Sequence, residues 1–133
     1  KIVKNIIKNK LIPVYGNGLN QRDWIYVKDH AKILYEISKK GKIGETYNIG
    51  TKHVVSNINI IIEILKIYNQ KFKKKKKLNE VVKYVEDRKG HDFRYAINNS
   101  KIKKLLKLKQ KKNIKKDLLE TFDWYLKLYN NNA

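Results

Sequence analysis

The sequence predicts a mixed α/β fold in one domain that comprises residues 1–133. Apolar residues recur at helical spacing in several segments, which is typical of amphipathic helices. Short apolar runs bounded by turn residues lie between these segments and favour strands. With an apolar fraction of 41%, the chain can bury a hydrophobic core.

Three longer helices are predicted first. Residues 1–10 place isoleucine and valine side chains on one helical face. A second helix is expected to have Asp29 as its N-cap and to end at Gly41, because aspartate and glycine are favoured at those positions. The third helix begins at Ser56 and runs through Tyr68. Its predicted inner face comprises Ile58, Ile61, Ile62 and Leu65.

Two more helices are expected near the C-terminus. A short one begins within residues 98–106, and the last one follows Asn113 as its N-cap. The acidic Asp117 and Glu120 suit the N-terminal half of that last helix, where the helix dipole is positive. Its apolar stripe comprises Ile114, Leu118, Leu119, Phe122, Leu126 and Tyr129.

Extended structure is predicted for four segments rich in β-branched and aromatic residues: 24–27, 44–50, 81–87 and 94–98. A further apolar run, LIPVYGNG, contains Pro13, the only proline of the chain. Because proline cannot donate a ladder hydrogen bond, this run fits an edge strand or a loop better than a central strand.

The formal net charge of +20 would suggest a nucleic acid or an anionic membrane surface as a partner. Lys, Ile and Asn make up nearly half of the residues, however, and their codons consist mostly of A and T. We therefore interpret much of the charge as a composition bias. The five consecutive lysines at 73–77 are predicted to form a solvated loop, with a phosphate-binding tract as the alternative.

The chain contains no cysteine, which excludes disulfides and thiolate metal sites and is compatible with a reducing compartment. No apolar run approaches the roughly 20 residues that span a bilayer, and the first residues lack the features of a secretory signal. We therefore expect a cytoplasmic location. The chain also begins without methionine, so we expect it to be part of a longer protein.

Arginine is rare in this lysine-rich chain, which has only Arg22, Arg88 and Arg94. A guanidinium group offers a planar fork of donors that binds phosphate in a bidentate manner, whereas lysine is a mobile point charge. Each arginine is therefore a candidate for phosphate binding. The alternative is a structural role, because arginine also pairs with carboxylates such as those nearby in the sequence.

Two of the arginines lie in the segment DRKGHDFRY, residues 87–95. In this segment Gly90 permits close approach of a ligand to the backbone, and His91 can donate to an oxygen. Asp87 can orient Arg88 or accept from a hydroxyl group. Such a loop suits a phosphorylated polyhydroxy ligand, and the alternative is a polar turn between two strands.

Five segments resemble a known family: PVYGNG, QRDWIYVKDHAKILY, GETYNIG, DRKGHDFRYAIN and a terminal WYL. They are similar to the C-terminal part of the dTDP-glucose 4,6-dehydratases, which belong to the extended short-chain dehydrogenase/reductase superfamily. The segment DRKGHDFRYAIN is the most discriminating of the five. The family usually has proline between the arginine and the glycine of this loop, where the present chain has Lys89.

The resemblance implies an α/β fold in which residues 1–133 form the C-terminal lobe that binds the nucleotide sugar, with the NAD-binding Rossmann domain largely absent. It implies a set of substrate-binding residues: Pro13, Val14, Tyr15, Arg22, Asn57, Asp87, Arg88, Lys89, Gly90 and His91. The first three would line the thymidine side of the site, and Arg22 would hold the diphosphate. The residues from Asn57 to His91 in this set would complete the grip on the nucleotide diphosphate.

In the family, dTDP-glucose is converted to dTDP-4-keto-6-deoxyglucose with loss of water, by hydride transfer from sugar to NAD and back. By resemblance, the catalytic residues and most NAD contacts precede the part that this chain matches. We therefore assign no catalytic residue and no metal site here, and we expect the chain alone to be inactive. The resemblance also implies a homodimer at full length, without a specific nucleic-acid or membrane partner.

Two alternatives remain open at this point. The chain could belong to another nucleotide-sugar epimerase or decarboxylase of the same superfamily. It could also be a basic nucleic-acid-binding module, for which its charge is the only support.

Overall fold

A computed structural model describes residues 1–107 and 113–130 of the chain. The contacts divide these residues into two compact units. The first unit contains residues 1–20, residues 56–93 and the C-terminal helix, and the second contains residues 21–55 and 94–107. Each unit therefore combines segments that are far apart in the sequence.

The first unit contains three helices and a pair of strands. The helices are α1 (Ile2–Ile7), α3 (Asn57–Phe72) and α5 (Ile114–Asn130), and a short 3₁₀ helix covers Leu78–Glu80. The strands β1 (Ile12–Tyr15) and β4 (Val82–Val85) pair in parallel, with Ile12 beside Val82 and Tyr15 beside Val85. The three helices pack against one another.

Helix α3 forms the centre of this core, because six of its side chains are buried. They are Ile58, Ile60, Ile61, Ile64, Leu65 and Tyr68. Burial of a large apolar side chain contributes about 1.5–3 kcal/mol, so this one helix supplies much of the hydrophobic stabilisation of the unit. Phe122 of α5 is completely buried, and an ion pair of 2.7 Å joins Lys71 of α3 to Asp123 of α5.

The second unit contains a three-stranded sheet and two helices. The strands are β2 (Gln21–Asp23), β3 (Val54–Ser56, of which the first two residues belong to this unit) and β5 (Arg94–Tyr95), in the order β3-β2-β5. The helices α2 (Val27–Lys40) and α4 (Ser100–Leu106) contact each other. Ile33 and Ile102 supply buried side chains from these two helices.

Most predicted helices and caps are confirmed. The side chain of Ser56 accepts a hydrogen bond from the backbone of Asn59, and the side chain of Asn113 accepts one from Lys116. Helix α2 ends at Gly41. Pro13 lies on a strand of a two-stranded sheet, as an edge position requires, and the run at residues 73–77 is a mostly exposed loop.

The predicted strand at residues 24–27 and the predicted N-cap at Asp29 are wrong. Strand β2 ends at Asp23, and helix α2 already begins at Val27. The indole Nε1 of Trp24 donates to the carbonyl of Val55 at 3.1 Å, so the aromatic side chain that favoured a strand ties the residue after β2 to β3 instead. Asp29 lies in the first turn of α2, where its charge faces the positive end of the helix dipole.

The predicted strand at residues 44–50 is also wrong, because the structure has no regular element there. Side chains satisfy backbone groups in and beside this segment. The amide of Asn99 donates to the Gly50 carbonyl at 2.5 Å, and the ammonium group of Lys101 donates to the Thr46 carbonyl at 2.8 Å. The hydroxyl of Tyr47 accepts from the backbone of Lys42 at 3.0 Å. The composition of residues 44–50 favoured a strand, but hydrogen bonds from side chains take the place of hydrogen bonds to a neighbouring strand.

Candidate functional site

The carboxyl ends of β1 and β4 lie side by side because the two strands are parallel and in register. The backbone N–H of Gly16 continues the ladder by donating to the carbonyl of Val85 at 3.0 Å. The turn after β1 and the loop after β4 therefore leave the strands at the same edge. This edge is where open α/β sheets commonly present binding residues.

Asp87 joins these two segments. One of its carboxylate oxygens, Oδ1, accepts from the backbone N–H of Arg88 at 2.9 Å and from Nδ1 of His91 at 2.6 Å. The other oxygen, Oδ2, faces Gly16, where a Cβ atom would lie only 3.1 Å away. Gly16 also has a φ of +53°, a conformation that other residues rarely adopt. Gly16 thus permits the close approach of Asp87.

The pKa of the Asp87 carboxyl lies below its ordinary value. The main cause is the hydrogen bond from His91, and desolvation acts in the opposite direction. Hydrogen bonds from the backbone of Arg88 and from the side chain of Asn20 lower the pKa further. Asp87 is therefore a carboxylate at neutral pH and can only accept hydrogen bonds.

Arg88 is held by two neighbours that do not carry a negative charge. Its Nη2 lies 2.6 Å from Nε2 of His91, and its guanidinium carbon lies 5.3 Å from the centre of the Tyr15 ring. A guanidinium group over a tyrosine face is a cation–π contact worth about 0.5–1 kcal/mol at an exposed site. The residue itself is exposed, so donors of its planar fork are accessible to a ligand.

The N-terminus of α3 closes the other side of the turn after β1. The backbone N–H groups of Asn57 and Ile58 donate to the carbonyls of Asn20 and Gly18, each at 3.0 Å. The side chain of Asn20, only 5% exposed, lies 3.5 Å from the Asp92 carbonyl and also contacts Asp87. Asn57 is thus tied to the turn that follows Tyr15, and Asn20 of this turn contacts Asp87 in the loop after β4.

Most of the predicted site residues belong to the first unit. Tyr15 is 41% exposed, whereas Val14 is 3% exposed and packs its side chain in the core. Lys89 and Gly90 are exposed, and Gly90 has a φ of +68° with open space around it. Pro13, Asn57, Asp87, Arg88 and His91 complete this group within the unit.

Arg22 and Arg94 belong to the second unit. The register of β2 and β5 pairs Gln21 with Arg94 and Arg22 with Tyr95. Because successive side chains of a strand point to opposite faces, Arg22 and Arg94 lie on opposite faces of this pair. Arg94 lines a surface cavity of about 360 Å³, together with Lys52, Val54, Ala96, Ile97, Asn98 and Ser100.

Two contributors to the cluster were not predicted as site residues. Gly16 stands in the recognisable segment PVYGNG, and the glycine itself was the available signal. Asn20 carries no pattern in the sequence, and only its burial beside Asp87 reveals its role.

The chain contains one Tyr-x-x-x-Lys spacing, at Tyr35 and Lys39 of α2, which is a spacing typical of proton-transfer pairs. The ammonium group of Lys39 lies 4.3 Å from the centre of the Tyr35 ring, and Tyr35 is 58% exposed. The lysine therefore sits over the ring face on an open helix surface. This geometry is a cation–π pair and supplies no enclosed catalytic site.

Within residues 1–107 and 113–130, no cluster of three or more histidine, aspartate or glutamate side chains could hold a metal ion. None of the helices described for this chain is both long and apolar enough to cross a membrane.

A family model described as GDP-mannose 4,6 dehydratase matches residues 1–121. The chain belongs to this family of extended short-chain dehydrogenase/reductase proteins. The resemblance that the sequence indicated is thereby confirmed.

The relatives with the higher identities are dTDP-glucose 4,6-dehydratases. The chain is 43% identical over 129 residues to dTDP-glucose 4,6-dehydratase of Escherichia coli, covering 94% of this chain and 36% of that protein. It also resembles the crystal structure of dTDP-glucose 4,6-dehydratase from Bacillus anthracis in complex with NAD. That match has a TM-score of 0.79 and 37% identity, and covers 95% of this chain and 38% of the other. The chain thus spans little more than a third of the length of these relatives.

The fold is shared more widely than the activity. UDP-glucuronic acid 4-epimerase from Bacillus cereus matches with a TM-score of 0.82 at 24% identity, covering 96% of this chain and 39% of the epimerase. This likeness shows the mixed α/β fold that the sequence predicted, and no more.

Proposed function

We propose that residues 1–133 form the nucleotide-sugar-binding lobe of an NAD-dependent dTDP-glucose 4,6-dehydratase. The whole enzyme would convert dTDP-glucose to dTDP-4-keto-6-deoxyglucose with loss of water, a step of deoxysugar biosynthesis. The observation that supports this proposal best is the position of Arg88 over the Tyr15 ring, beside His91. A fork of donors next to an aromatic face suits a ligand that combines a diphosphate with a nucleoside.

The residues of this chain would bind and orient the substrate. Arg88 would offer bidentate donors to the diphosphate, and Tyr15 would present its ring to the nucleoside side of the ligand. Asn57 and the exposed backbone at Gly90 would add further hydrogen bonds. Arg22, on β2 of the second unit, is proposed as a further substrate-binding residue because of its guanidinium group.

NAD, which would carry the hydride between sugar carbons in the whole enzyme, does not fit the described residues. A dinucleotide site needs a glycine-rich turn that leads from a strand directly into a helix N-terminus. Here the turn at Gly16 and Gly18 leads to β2. The first N–H groups of α3, which such a site would direct at the pyrophosphate, donate to the carbonyls of Gly18 and Asn20. The proposal is therefore that NAD is bound mainly by protein outside residues 1–133, and we assign no catalytic residue to this chain.

Exposed apolar side chains on the second unit support the proposal that this lobe packs against the NAD-binding part of a longer chain. Leu34 and Tyr35 of α2 are 49% and 58% exposed, and Ile43 after the helix is fully exposed. A contiguous apolar patch formed by such side chains would mark an interaction surface. A homodimer at full length and a cytoplasmic location are further parts of this proposal.

Isothermal titration calorimetry of the 133-residue chain tests the proposal. We expect dTDP to bind more tightly than UDP. Arg88→Lys replaces the planar fork with a point charge and should weaken dTDP binding about tenfold or more, which corresponds to about 1.4 kcal/mol. Arg94→Lys is the matched control, because its side chain lines a separate cavity in the second unit, and it should bind dTDP as the wild type does.

Other outcomes would point elsewhere. Preference for UDP over dTDP would favour an epimerase or decarboxylase of the same superfamily. Salt-resistant binding of DNA without any response to dTDP would favour a nucleic-acid-binding module. Product formed from dTDP-glucose and NAD by the 133-residue chain alone would contradict the assignment of a binding lobe without catalytic residues.

A further inference from the structure

Arg94 is the arginine to which the proposed function gives no role. The chain has only three arginines, and the other two, Arg22 and Arg88, belong to the proposed substrate-binding set. Arg94 instead lines a surface cavity of about 360 Å³ whose lining residues all belong to the second unit. Binding sites for small molecules have volumes of about 300–1,000 Å³, so this cavity is large enough to hold a small ligand.

The charge of the cavity is positive. Lys52 supplies a second cation to the lining, and both residues are exposed. Within residues 1–107 and 113–130, neither of these side chains forms an ion pair, and no acidic residue lines the cavity. A concave surface lined by charge of one sign concentrates the electric field and attracts ligands of the opposite sign. The ligand that suits this cavity is therefore an anion.

Strand β2 holds the backbone of both cationic residues. Gln21, at its start, pairs with Arg94 of β5. Asp23, at its end, accepts from the backbone N–H of Lys52 at 3.2 Å and from that of Thr51 at 3.0 Å. These bonds support a φ of +60° at Lys52, which is uncommon for a residue other than glycine. The two cations are thus attached to one short strand, so that little backbone ordering remains to be done when a ligand binds.

The rest of the lining is apolar or neutral. Val54, Ala96 and Ile97 supply apolar surface, and Asn98 and Ser100 supply short polar side chains. The side-chain oxygen of Asn98 already accepts from the backbone N–H of Ser100 at 3.0 Å, so its NH₂ group is the part that faces a choice of partners. An amide NH₂ and a hydroxyl both donate to oxygen. The lining therefore offers donors for an anion and apolar surface for the remainder of a small molecule.

We propose that this cavity binds a small anion through a carboxylate or phosphate group. Arg94 would bind two oxygens of that group with its planar fork, and Lys52 would supply the second positive charge. The site shares no residue with the cluster around Arg88, and it goes beyond the proposed function without depending on it. Binding changes no covalent bond of the ligand.

Titrations followed by ¹H–¹⁵N correlation spectra of the full 133-residue chain test the proposal. The probes are succinate and, separately, inorganic phosphate, at pH 7 and constant ionic strength. We expect saturable shifts of the backbone amides of Lys52, Ala96 and Asn98 with at least one probe. The probe that binds more tightly identifies the anionic group. Because these amides are read individually, the result does not depend on whether dTDP binds.

Two substitutions separate a built site from general attraction of anions by a basic chain. Arg94→Lys keeps the charge and removes the fork, so it should weaken binding about fivefold or more. Lys52→Gln should also weaken it, whereas Lys32→Gln is the matched control, since Lys32 is exposed on α2 of the same unit and does not line the cavity. The control should bind as the wild type does.

Three results would overturn the inference and leave the proposed function intact. The first is shifts at these amides that grow without saturation for both probes. The second is unchanged affinity in both Arg94→Lys and Lys52→Gln. The third is a loss of affinity in Lys32→Gln as large as that in Lys52→Gln, which would show attraction by overall charge alone.

Discussion

Asp23 lies at the end of β2, and its substitution tests which hydrogen bonds stabilise the second unit. Its Oδ1 accepts from the backbone N–H and the hydroxyl of Thr51, at 3.0 and 2.6 Å, and its Oδ2 accepts from the backbone N–H of Lys52 at 3.2 Å. The carboxylate therefore fixes the loop that precedes β3. In Asp23→Asn the side-chain amide places an NH₂ group against at least one of these donors, so that at least one hydrogen bond is lost.

A hydrogen bond to a charged group contributes about 1.5–3 kcal/mol net, and the lower half of this range suits a half-exposed residue. We therefore expect Asp23→Asn to lower the free energy of unfolding by about 2 kcal/mol. With a urea m-value of about 2 kcal/mol/M, the unfolding midpoint falls by about 1 M, which circular dichroism can follow.

The matched control is Asp123→Asn, which removes an ion pair with Lys71 whose two side chains are 41% and 32% exposed. Pairs of this kind contribute at most about 1 kcal/mol, so the midpoint should move by at most about half as much. If Asp23→Asn unfolds at the wild-type midpoint, or if the control costs as much, the carboxylate does not hold the loop in the way described.

Three further predictions concern stability. Although desolvation raises the pKa of Asp23, hydrogen bonds from Thr51 and the following backbone lower it below its ordinary value. Its stabilisation is therefore complete above the unfolded pKa of about 3.9 and is lost as the pH falls through the lower folded pKa, so the wild type and Asp23→Asn should converge in acid urea titrations. Gly18→Ala should destabilise more than Gly44→Ala by about 1–3 kcal/mol in thermal melts. Both glycines have positive φ, but a Cβ at Gly18 would lie 2.7 Å from a side-chain carbon of Val14, whereas Gly44 has open space. Phe122→Ala removes a completely buried ring and should cost about 3–5 kcal/mol, so a wild-type melting temperature would contradict the description of this core.

The helices could be predicted from the sequence because apolar spacing and local capping residues determine them. Ser56 and Asn113 cap their helices with contacts only three residues away, which a pattern can show. The inner face of α3 was predicted less well, since Ile60 and Ile64 are buried and Ile62 is only partly so. A helix that packs against two other helices buries more than one narrow stripe.

The strands of the second unit could not be placed from propensity. Residues 44–50 have strand composition, but Asn99 and Lys101, about fifty residues later, donate to carbonyls of this segment. Contacts at that sequence distance leave no local signal. The same reason explains the misplaced start of α2, where the indole of Trp24 donates to Val55.

The sequence predicted the residue types of the candidate site, but it did not predict the hydrogen bonds that join them. The scarcity of arginine identified Arg88, and the surrounding loop identified Asp87 and His91. The sequence did not show that His91 stands between the carboxylate and the guanidinium group, because that order depends on the conformation of the loop. The sequence also did not show that Arg94 and Arg22 lie on opposite faces of their strand pair, which follows from the register of β2 and β5.

The chemistry of these contacts explains why a lysine-rich chain has arginine at position 88. Asp87 only accepts hydrogen bonds and Arg88 only donates them, so a neutral imidazole can bridge them in one tautomer alone. The guanidinium group then lies over the Tyr15 ring, 5.3 Å from its centre, while donors of its planar fork are accessible. A lysine at this position would supply one rotating ammonium group without a planar edge, so it could not hold the imidazole and present paired donors in a fixed direction at the same time. A lysine, which also only donates, would satisfy this order of donors and acceptors, so it is the planar pair of donors that favours arginine here, and additional positive charge elsewhere on the surface would not replace it.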